Sequence, residues 1–278
     1  MSVHRLTGPN DPRVVDYHDM AEHELVRSRG LFIAEGRLVV RRLIEGRRHT
    51  LRSVLVSEAA YRALEETLAA AQAPIYICEA SHFLGITGHD IHRGCLALVE
   101  RAPVPTVHAI LESCVGRARP GPPADWPATT LIVLEGVTNA DNVGGVFRNA
   151  AAFGACGVLL DPTSCDPLYR KAIRTSMAAV LRVPFARVDP WPDGLRALRE
   201  LGFAIAALTP REPAMTVAAF AASRPPRVAL LVGTEGEGLT QKAESAADCR
   251  VRIPMAQDVD SLNLSVAVGI ALHRLSMI

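Results

Sequence analysis

The sequence predicts an α/β protein of two domains: a small α/β sandwich, then a larger parallel sheet covered on both faces. Three observations carry this. The 278 residues exceed the usual length of one domain. Apolar runs of strand length alternate with amphipathic stretches in both halves of the chain. A Pro- and Gly-rich stretch separates the halves, with "RAPVP" at 101–105 and "RPGPPADWP" at 119–127 bracketing a short helical piece, "TVHAILESCV". The expected division is residues 1–102, a linker at 103–127, and residues 128–278.

In the first domain "SVLVS" (53–57) reads as a strand and "EAAYRALEETLAAAQ" as an amphipathic helix. "IYICE" and "CLALVE" read as further strands, with "HFLGITGHDIHRG" as a loop between them. In the second domain strands are expected at "TLIVLEG", "GVLL", "FAIAALT", "VALLVG" and "CRVRIPM". Their nearly continuous apolar character fits a parallel sheet with both faces buried. Helices are expected over 143–153, 167–178, 194–201, 240–247 and 262–276. The last is apolar almost all round, so it belongs in the core or against a second subunit.

Composition narrows the function classes. The chain is 49% hydrophobic, yet no run of about 18 apolar residues is free of charge, so no membrane span is expected. The start, "MSVHRLTGPNDPRVVDYHD", lacks the basic-then-apolar order of a secretory signal, which makes the cytoplasm the expected location. Six cysteines form no CxxC pair and no zinc-like spacing, so buried, reduced thiols are expected. His89 and His92 make an HxxH pair, but no further ligand follows, and no metal site is expected. Net charge is only +1. Locally, however, "GRLVVRRLIEGRRH" gathers Arg37, Arg41, Arg42, Arg47 and Arg48. This is either a solvated helix face or a patch for nucleic-acid phosphates.

Open parallel sheets bind ligands beyond the carboxyl ends of their strands. Three polar loops follow predicted strands there: "NADNVGG" after "TLIVLEG", "GTEGEGLT" (233–240) after "VALLV", and "AQDVDSLNLS" (256–265) after "CRVRIPM". GTEGEG is not a dinucleotide fingerprint, because Glu235 stands where the second glycine would be and would repel a pyrophosphate. There is no GxxxxGK[ST] and no Ser–His–Asp set, since His273 lies deep in the last helix. One arginine, one glutamate and several Asn and Ser groups suit positioning and charge management more than hydrolysis.

"NADNVGGVFRNAAAFG", "LLVGTEGEGLT" and "RIPMAQDVDSLNLSVAVGIAL", in this order, resemble the three signature motifs of the SpoU–TrmH family of SPOUT RNA ribose 2′-O-methyltransferases. "RGLFIAEGRLVVRRLIEG" and "HRGCLALVE" are similar to that family's substrate-binding domain, a ribosomal-protein-like α/β sandwich. The resemblance covers almost the whole chain. It implies a knotted (trefoil) catalytic domain at 128–278, S-adenosylmethionine as methyl donor, an RNA-binding domain at 1–102, and a homodimer through the C-terminal domain. It matches Asn142 and Arg148 to the first motif's polar pair, Glu235 to the second motif's acid, and Ser261 and Asn263 to the third's polar pair. Gly233, Ile253 and Leu262 match positions whose backbone holds the cofactor, with Thr234 and Met255 beside them. Gly233 is read as leaving room for the ligand. A departure is Gln257, where the family often has glycine, with Asp258 and Asp260 making that loop acidic.

In this reading Arg148 binds a substrate phosphate and orients the ribose hydroxyl, with base action also open. Its ordinary pKa above about 12 makes it a poor base unaided. The competing role is a salt bridge to Glu235 that pins two loops. The implied substrate is structured RNA, ribosomal in preference to transfer RNA. Two other functions stay open: a non-catalytic RNA-binding or ribosome-assembly protein on the same fold, and a dinucleotide-dependent enzyme.

Overall fold

A computed structural model describes residues 2–18, 22–87, 94–116, 128–256, 259 and 261–276. The chain separates into two compact units, Met1–Pro103 with Pro167–Leu181, and Val104–Asp166 with Arg182–Ile278. In chain order the elements up to residue 100 are β1 (Val3–Arg5), α1 (Glu22–Ser28), β2 (Leu31–Glu35), α2 (Arg37–Gly46), β3 (Leu51–Ser57), α3 (Glu58–Ala69), β4 (Ile75–Cys78), α4 (His82–Thr87) and β5 (Cys95–Glu100). Next come α5 (Val107–Gly116), β6 (Thr129–Leu134), α6 (Ala140–Ala152), β7 (Val158–Leu160), α7 (Arg170–Thr175), β8 (Phe185–Arg187) and α8 (Arg196–Glu200). The chain continues through β9 (Ala204–Leu208), β10 (Met215–Thr216), α9 (Val217–Ala222), β11 (Arg227–Val232), α10 (Gln241–Ser245), β12 (Cys249–Arg252) and α11 (Leu264–Ser276).

In the first unit a mixed sheet runs in the order β1-β4-β3-β5-β2, antiparallel where β5 meets β3 and β2. Its core includes Leu55, Phe83, Leu96 and Tyr17, whose buried hydroxyl hydrogen-bonds Ser53 Oγ and accepts from the Leu98 N–H. The segment expected as a loop begins with the helix α4. Thr87 Oγ1 donates to the Phe83 carbonyl, and Phe83 and Ile86 are buried. His89 and His92 lie outside the described residues. The region 167–178, expected as a helix of the second domain, belongs to the first unit instead. There α7 carries Arg170 and Arg174, which pair with Glu35 of β2 at 3.6 and 3.1 Å.

The second unit holds a seven-stranded parallel sheet, ordered β10-β12-β9-β11-β6-β7-β8. β11 is buried at every residue and β6 at its last four, as strands covered on both faces must be. The stretch expected as a linker at 103–127 is not one throughout. Residues 107–116 form α5, whose Ile110, Leu111 and Cys114 enter the same core as Leu131, Leu159 and Val188. A side chain at Gly157 would stand 2.8 Å from Ile110, so the helix lies flush against the turn before β7. Residues 117–127 lie outside the described residues. The expectation of reduced thiols is also corrected, because Cys114 is disulfide-bonded to Cys156.

From β6 the sheet extends one way through β7 and β8 and the other way through β11 and β9. The carboxyl ends of β6 and β11 therefore form the topological switch point, where open α/β sheets bind ligands. Leu134, Val232, Leu208 and Val251 lie side by side across the register, so the loops that follow them leave from one edge.

Candidate active site

The crowded stretch after β6 is the first two turns of a helix rather than a loop. Asn139 is the N-cap of α6, its side chain accepting from the Asp141 N–H at 2.8 Å. The helix therefore begins three residues earlier than expected, and Asn142, Gly144 and Gly145 lie inside it. Gly145 is glycine because a side chain there would sit 2.6 Å from Ser265 Cβ of α11. One turn on, Asn149 Nδ2 donates to the Ser265 carbonyl at 2.6 Å. Two helices thus cross closely enough to bring the third loop onto the first.

The loop 135–139 is also held from below. Asp161 accepts from the Gly136 N–H, from the Ser164 N–H and hydroxyl, and from the Thr163 hydroxyl. Burial alone would raise its carboxyl, but these hydrogen bonds outweigh it and hold the group below the ordinary 3.8. Ser164 Oγ in turn accepts from the Val137 N–H.

Three of the matched polar residues meet. Asn263 Nδ2 donates to Asn142 Oδ1 at 2.9 Å and to Glu235 Oε1 at 2.7 Å. Glu235 Oε1 also accepts from the Leu264 N–H at the start of α11, and Asn142 is buried. The other end of the Asn263 amide accepts from the Ser265 and Val266 N–H groups, capping α11. Glu235 is therefore spent on the third loop and not on Arg148. Arg148 is exposed and, among the described residues, makes no ion pair or hydrogen bond, which removes the proposed salt bridge.

Beside this network is a cavity of about 420 Å³. Gly233, Thr234, Ile253, Met255, Leu262 and Ser261 line it, with Glu235 at its edge. The structure gives glycine at 233 a reason besides the expected one. A Cβ there would lie 2.3 Å from the Gly238 carbonyl carbon and 2.4 Å from the Leu239 nitrogen, so the loop closes on itself before any ligand is reached. Gly236 and Gly238 supply the left-handed turns, with φ of 95° and 74°.

Two supports of the same loop went unnoticed in the sequence. Arg211, after β9, lines the cavity and donates to the carbonyls of Glu237 at 2.8 Å and Leu239 at 3.4 Å. Glu135, buried at the end of β6, accepts from the Thr240 N–H and hydroxyl and from Trp191 Nε1, each at 2.8 Å. "LTPREP" also follows a strand at the same sheet edge, and that position is the signal that points to Arg211. Gln257, Asp258 and Asp260 lie outside the described residues. No group of three or more His, Cys, Asp or Glu side chains among the described residues is placed to hold a metal.

The arginine cluster is in the other unit and is not uniform. Arg41, Arg47 and Arg48 are exposed, whereas Arg42 Nη1 donates to the Met177 carbonyl. The unpaired Nε of Arg37 is buried. Arg42 is therefore a structural residue of the first unit rather than a free contact for phosphate.

Residues 129–273, just over half of the chain, match the model of the SpoU rRNA Methylase family. The chain belongs to that family. SpoU relatives extend the match to nearly all of it. An uncharacterized tRNA/rRNA methyltransferase of Mycobacterium bovis is 37% identical over 279 residues, 99% of this chain and 92% of the relative. The 23S rRNA (guanosine-2′-O-)-methyltransferase RlmB of a Burkholderia species is 30% identical over 78% of this chain and 83% of its own. A solved RNA 2′-O ribose methyltransferase superposes with a TM-score of 0.77 at 27% identity, covering 98% of both chains. The SpoU fold is also that of an AdoMet-bound rRNA methyltransferase from Sinorhizobium meliloti, with a TM-score of 0.78 at 23% identity over 98% of this chain and 97% of the other.

Proposed function

We propose that this RNA methyltransferase moves the methyl group of S-adenosylmethionine onto a ribose 2′-hydroxyl of structured RNA, ribosomal in preference to transfer RNA. The observation that carries the reading is the Asn142–Asn263–Glu235 network beside a partly open cavity at one sheet edge, with Arg148 exposed six residues along α6 from Asn142. The cavity fits the donor. Its volume falls in the range of roughly 300–1,000 Å³ typical of small-molecule sites. Ile253, Met255 and Leu262 offer apolar walls, and the peptide groups beside them and beside Gly233 and Thr234 offer hydrogen bonds. When bound, S-adenosylmethionine supplies a methyl carbon made electrophilic by its sulfonium.

The residues of the chain supply alignment, which in favourable cases is worth roughly 7–11 kcal/mol of barrier. Arg148 grips a substrate phosphate and turns the neighbouring ribose hydroxyl toward the cavity, its planar fork matching the phosphate oxygens. Ser261, exposed on the cavity wall, hydrogen-bonds the incoming ribose. Asn142, Glu235 and Asn263 keep α6 and α11 in register beneath it. The named targets of the RlmB relative and of the ribose methyltransferase neighbour support ribose and ribosomal RNA.

The same reading takes Arg37, Arg41, Arg47 and Arg48 of the first unit, a ribosomal-protein-like domain, as RNA contacts, and places the protein in the cytoplasm. Among the described residues no helix is long and apolar enough to cross a membrane. The catalytic domain would carry the trefoil knot; β12 pairs beyond β9 while α11 returns to α6, a path that supports it. A homodimer would form on the outer side of α11. Leu264, Val268, Ala271, Leu272 and Leu275 are buried within the unit, whereas Val266 and Ile270 remain 48% and 36% exposed.

The test is incubation with methyl-labelled S-adenosylmethionine and ribosomal RNA, followed by alkaline hydrolysis. Label in alkali-resistant dinucleotides is the expected result, because a 2′-O-methyl group blocks cleavage. Label on a base would overturn the ribose assignment. RNA binding with no incorporation into ribosomal or transfer RNA would identify a non-catalytic RNA-binding protein.

A further inference from the structure

The first unit holds a cavity of about 300 Å³ remote in sequence from the three loops. It is lined by Leu43 and Ile44 of α2, by Arg47, Arg48 and His49 just after it, and by Ala70 after α3. Arg47 caps α2 in the left-handed conformation, with φ 47° and ψ 28°. Glycine is the least costly residue there, and one stands immediately before it, yet Gly46 does not use that freedom. The chain thus places an arginine where its backbone favours glycine.

His49 adds a second observation. Its Nε2 lies 3.0 Å from the Leu181 carbonyl in the same unit, so that nitrogen carries the hydrogen. In the neutral ring Nδ1 is then an acceptor; it has no partner among the described residues and almost no exposed surface of its own. A buried acceptor left unpaired is costly, so a small shift of the ring that admits a donor is favoured.

We infer that this cavity takes one unstacked nucleotide of the RNA substrate, with its phosphate on Arg47 and Arg48, its base against Leu43 and Ile44, and a base N–H reaching His49 Nδ1 once the ring shifts. The inference rests on the reading that the chain binds RNA. A bare phosphate would leave the apolar wall and the orphan acceptor unused, and an apolar ligand would leave the two guanidinium groups unused. A paired base could not enter, because helical RNA hides its bases, whereas loops and bulges splay them outward.

The test uses the full-length protein and a fluorescein-labelled RNA hairpin with an open loop, followed by anisotropy across a salt series. Arg47→Gly should leave the melting temperature equal or higher, because glycine suits the left-handed position. It should nevertheless weaken RNA binding about tenfold, as loss of a charged hydrogen bond does, and flatten the salt slope by about 0.7 to 0.9. Ala70→Leu, at an exposed position, fills the cavity and keeps both arginines. It should weaken binding without changing the salt slope. Wild-type affinity in Arg47→Gly would overturn the inference. So would wild-type affinity in Ala70→Leu, which would reduce the arginines to an open phosphate patch. Either result leaves RNA binding itself intact, whereas a wild-type protein that fails to bind the hairpin would overturn both readings. Tight binding of AMP alone, with RNA affinity unchanged in both variants, would assign the cavity to a free nucleotide instead.

Discussion

Gly233→Ala separates two explanations of the same glycine. An added Cβ would stand 2.3 Å from the Gly238 carbonyl carbon, whereas ordinary contact begins at 3.4 Å, so the loop must open by about 1.1 Å. The opposing atoms are backbone, and the loop cannot simply swing away. Arg211 holds the carbonyls of Glu237 and Leu239, and Glu135 holds Thr240. Overpacking of this kind costs about 1–3 kcal/mol. In a unit of this size that lowers the melting temperature by roughly 2–4 °C per kcal/mol. The same displacement moves Thr234 and the cavity wall, so affinity for S-adenosylhomocysteine should fall by about tenfold or more, as ångström-scale misplacement does. The assay is calorimetric titration with S-adenosylhomocysteine, paired with melting of the ligand-free protein. A variant that melts like the wild type without ligand, yet has lost affinity, would refute this reasoning. It would show that the missing Cβ makes room for the ligand rather than for the loop.

Other outcomes follow from the same geometry. Arg148→Ala should abolish methyl transfer and leave the melting temperature unchanged, since Arg148 is exposed and makes no ion pair or hydrogen bond among the described residues; single-turnover methylation near the wild-type rate would remove it from the chemistry. Asp161 contributes stability that is fully present above its ordinary value of 3.8 and is lost as pH falls through its lower folded value. Asp161→Asn should therefore melt lower at neutral pH and show a flatter acid limb, and parallel melting-versus-pH curves would contradict the hydrogen-bond account. The Cys114–Cys156 bond joins residues 42 apart, for which chain entropy gives about 4 kcal/mol of stabilisation. Reduction should lower the melting temperature, and thiol titration of the denatured, unreduced protein should find the four other cysteines free.

Strands buried on both faces were legible because their apolar runs are continuous; "TLIVL" and "VALLV" admit no other reading in a chain of this kind. β8 and β10, three and two residues long, carry no periodicity that could reveal them. α5 was legible as a short helix in "TVHAILESCV", but the prolines and glycines of its flanks assigned it to a linker rather than to the core that Ile110 and Leu111 enter. The disulfide was hidden for a related reason. Only packing of α5 against the turn after α6 brings Cys114 and Cys156 together. In the site, the resemblance to the three motifs pointed to Asn142, Glu235 and Asn263, and Asn263 touches the other two. The roles of Glu135 and Arg211 depend on the return path of the 233–240 loop, which no local pattern encodes. Gly233 was singled out for room beside a ligand, and the backbone of Gly238 and Leu239 adds a reason that no local pattern shows.

The crossing of α6 and α11 has a consequence for genetics. Gly145 faces Ser265, whose hydroxyl donates to Asn263 Oδ1 at 2.7 Å, and the amide of Asn263 reaches Asn142 and Glu235. A single methyl group added at Gly145 therefore pushes on the site through one intermediary, without touching substrate or donor. Alleles at this crossing would behave as conditional ones, active when cool and failing on warming as the strained helix pair loosens. Their suppressors would fall on the opposite helix, with Ser265→Gly the first to look for.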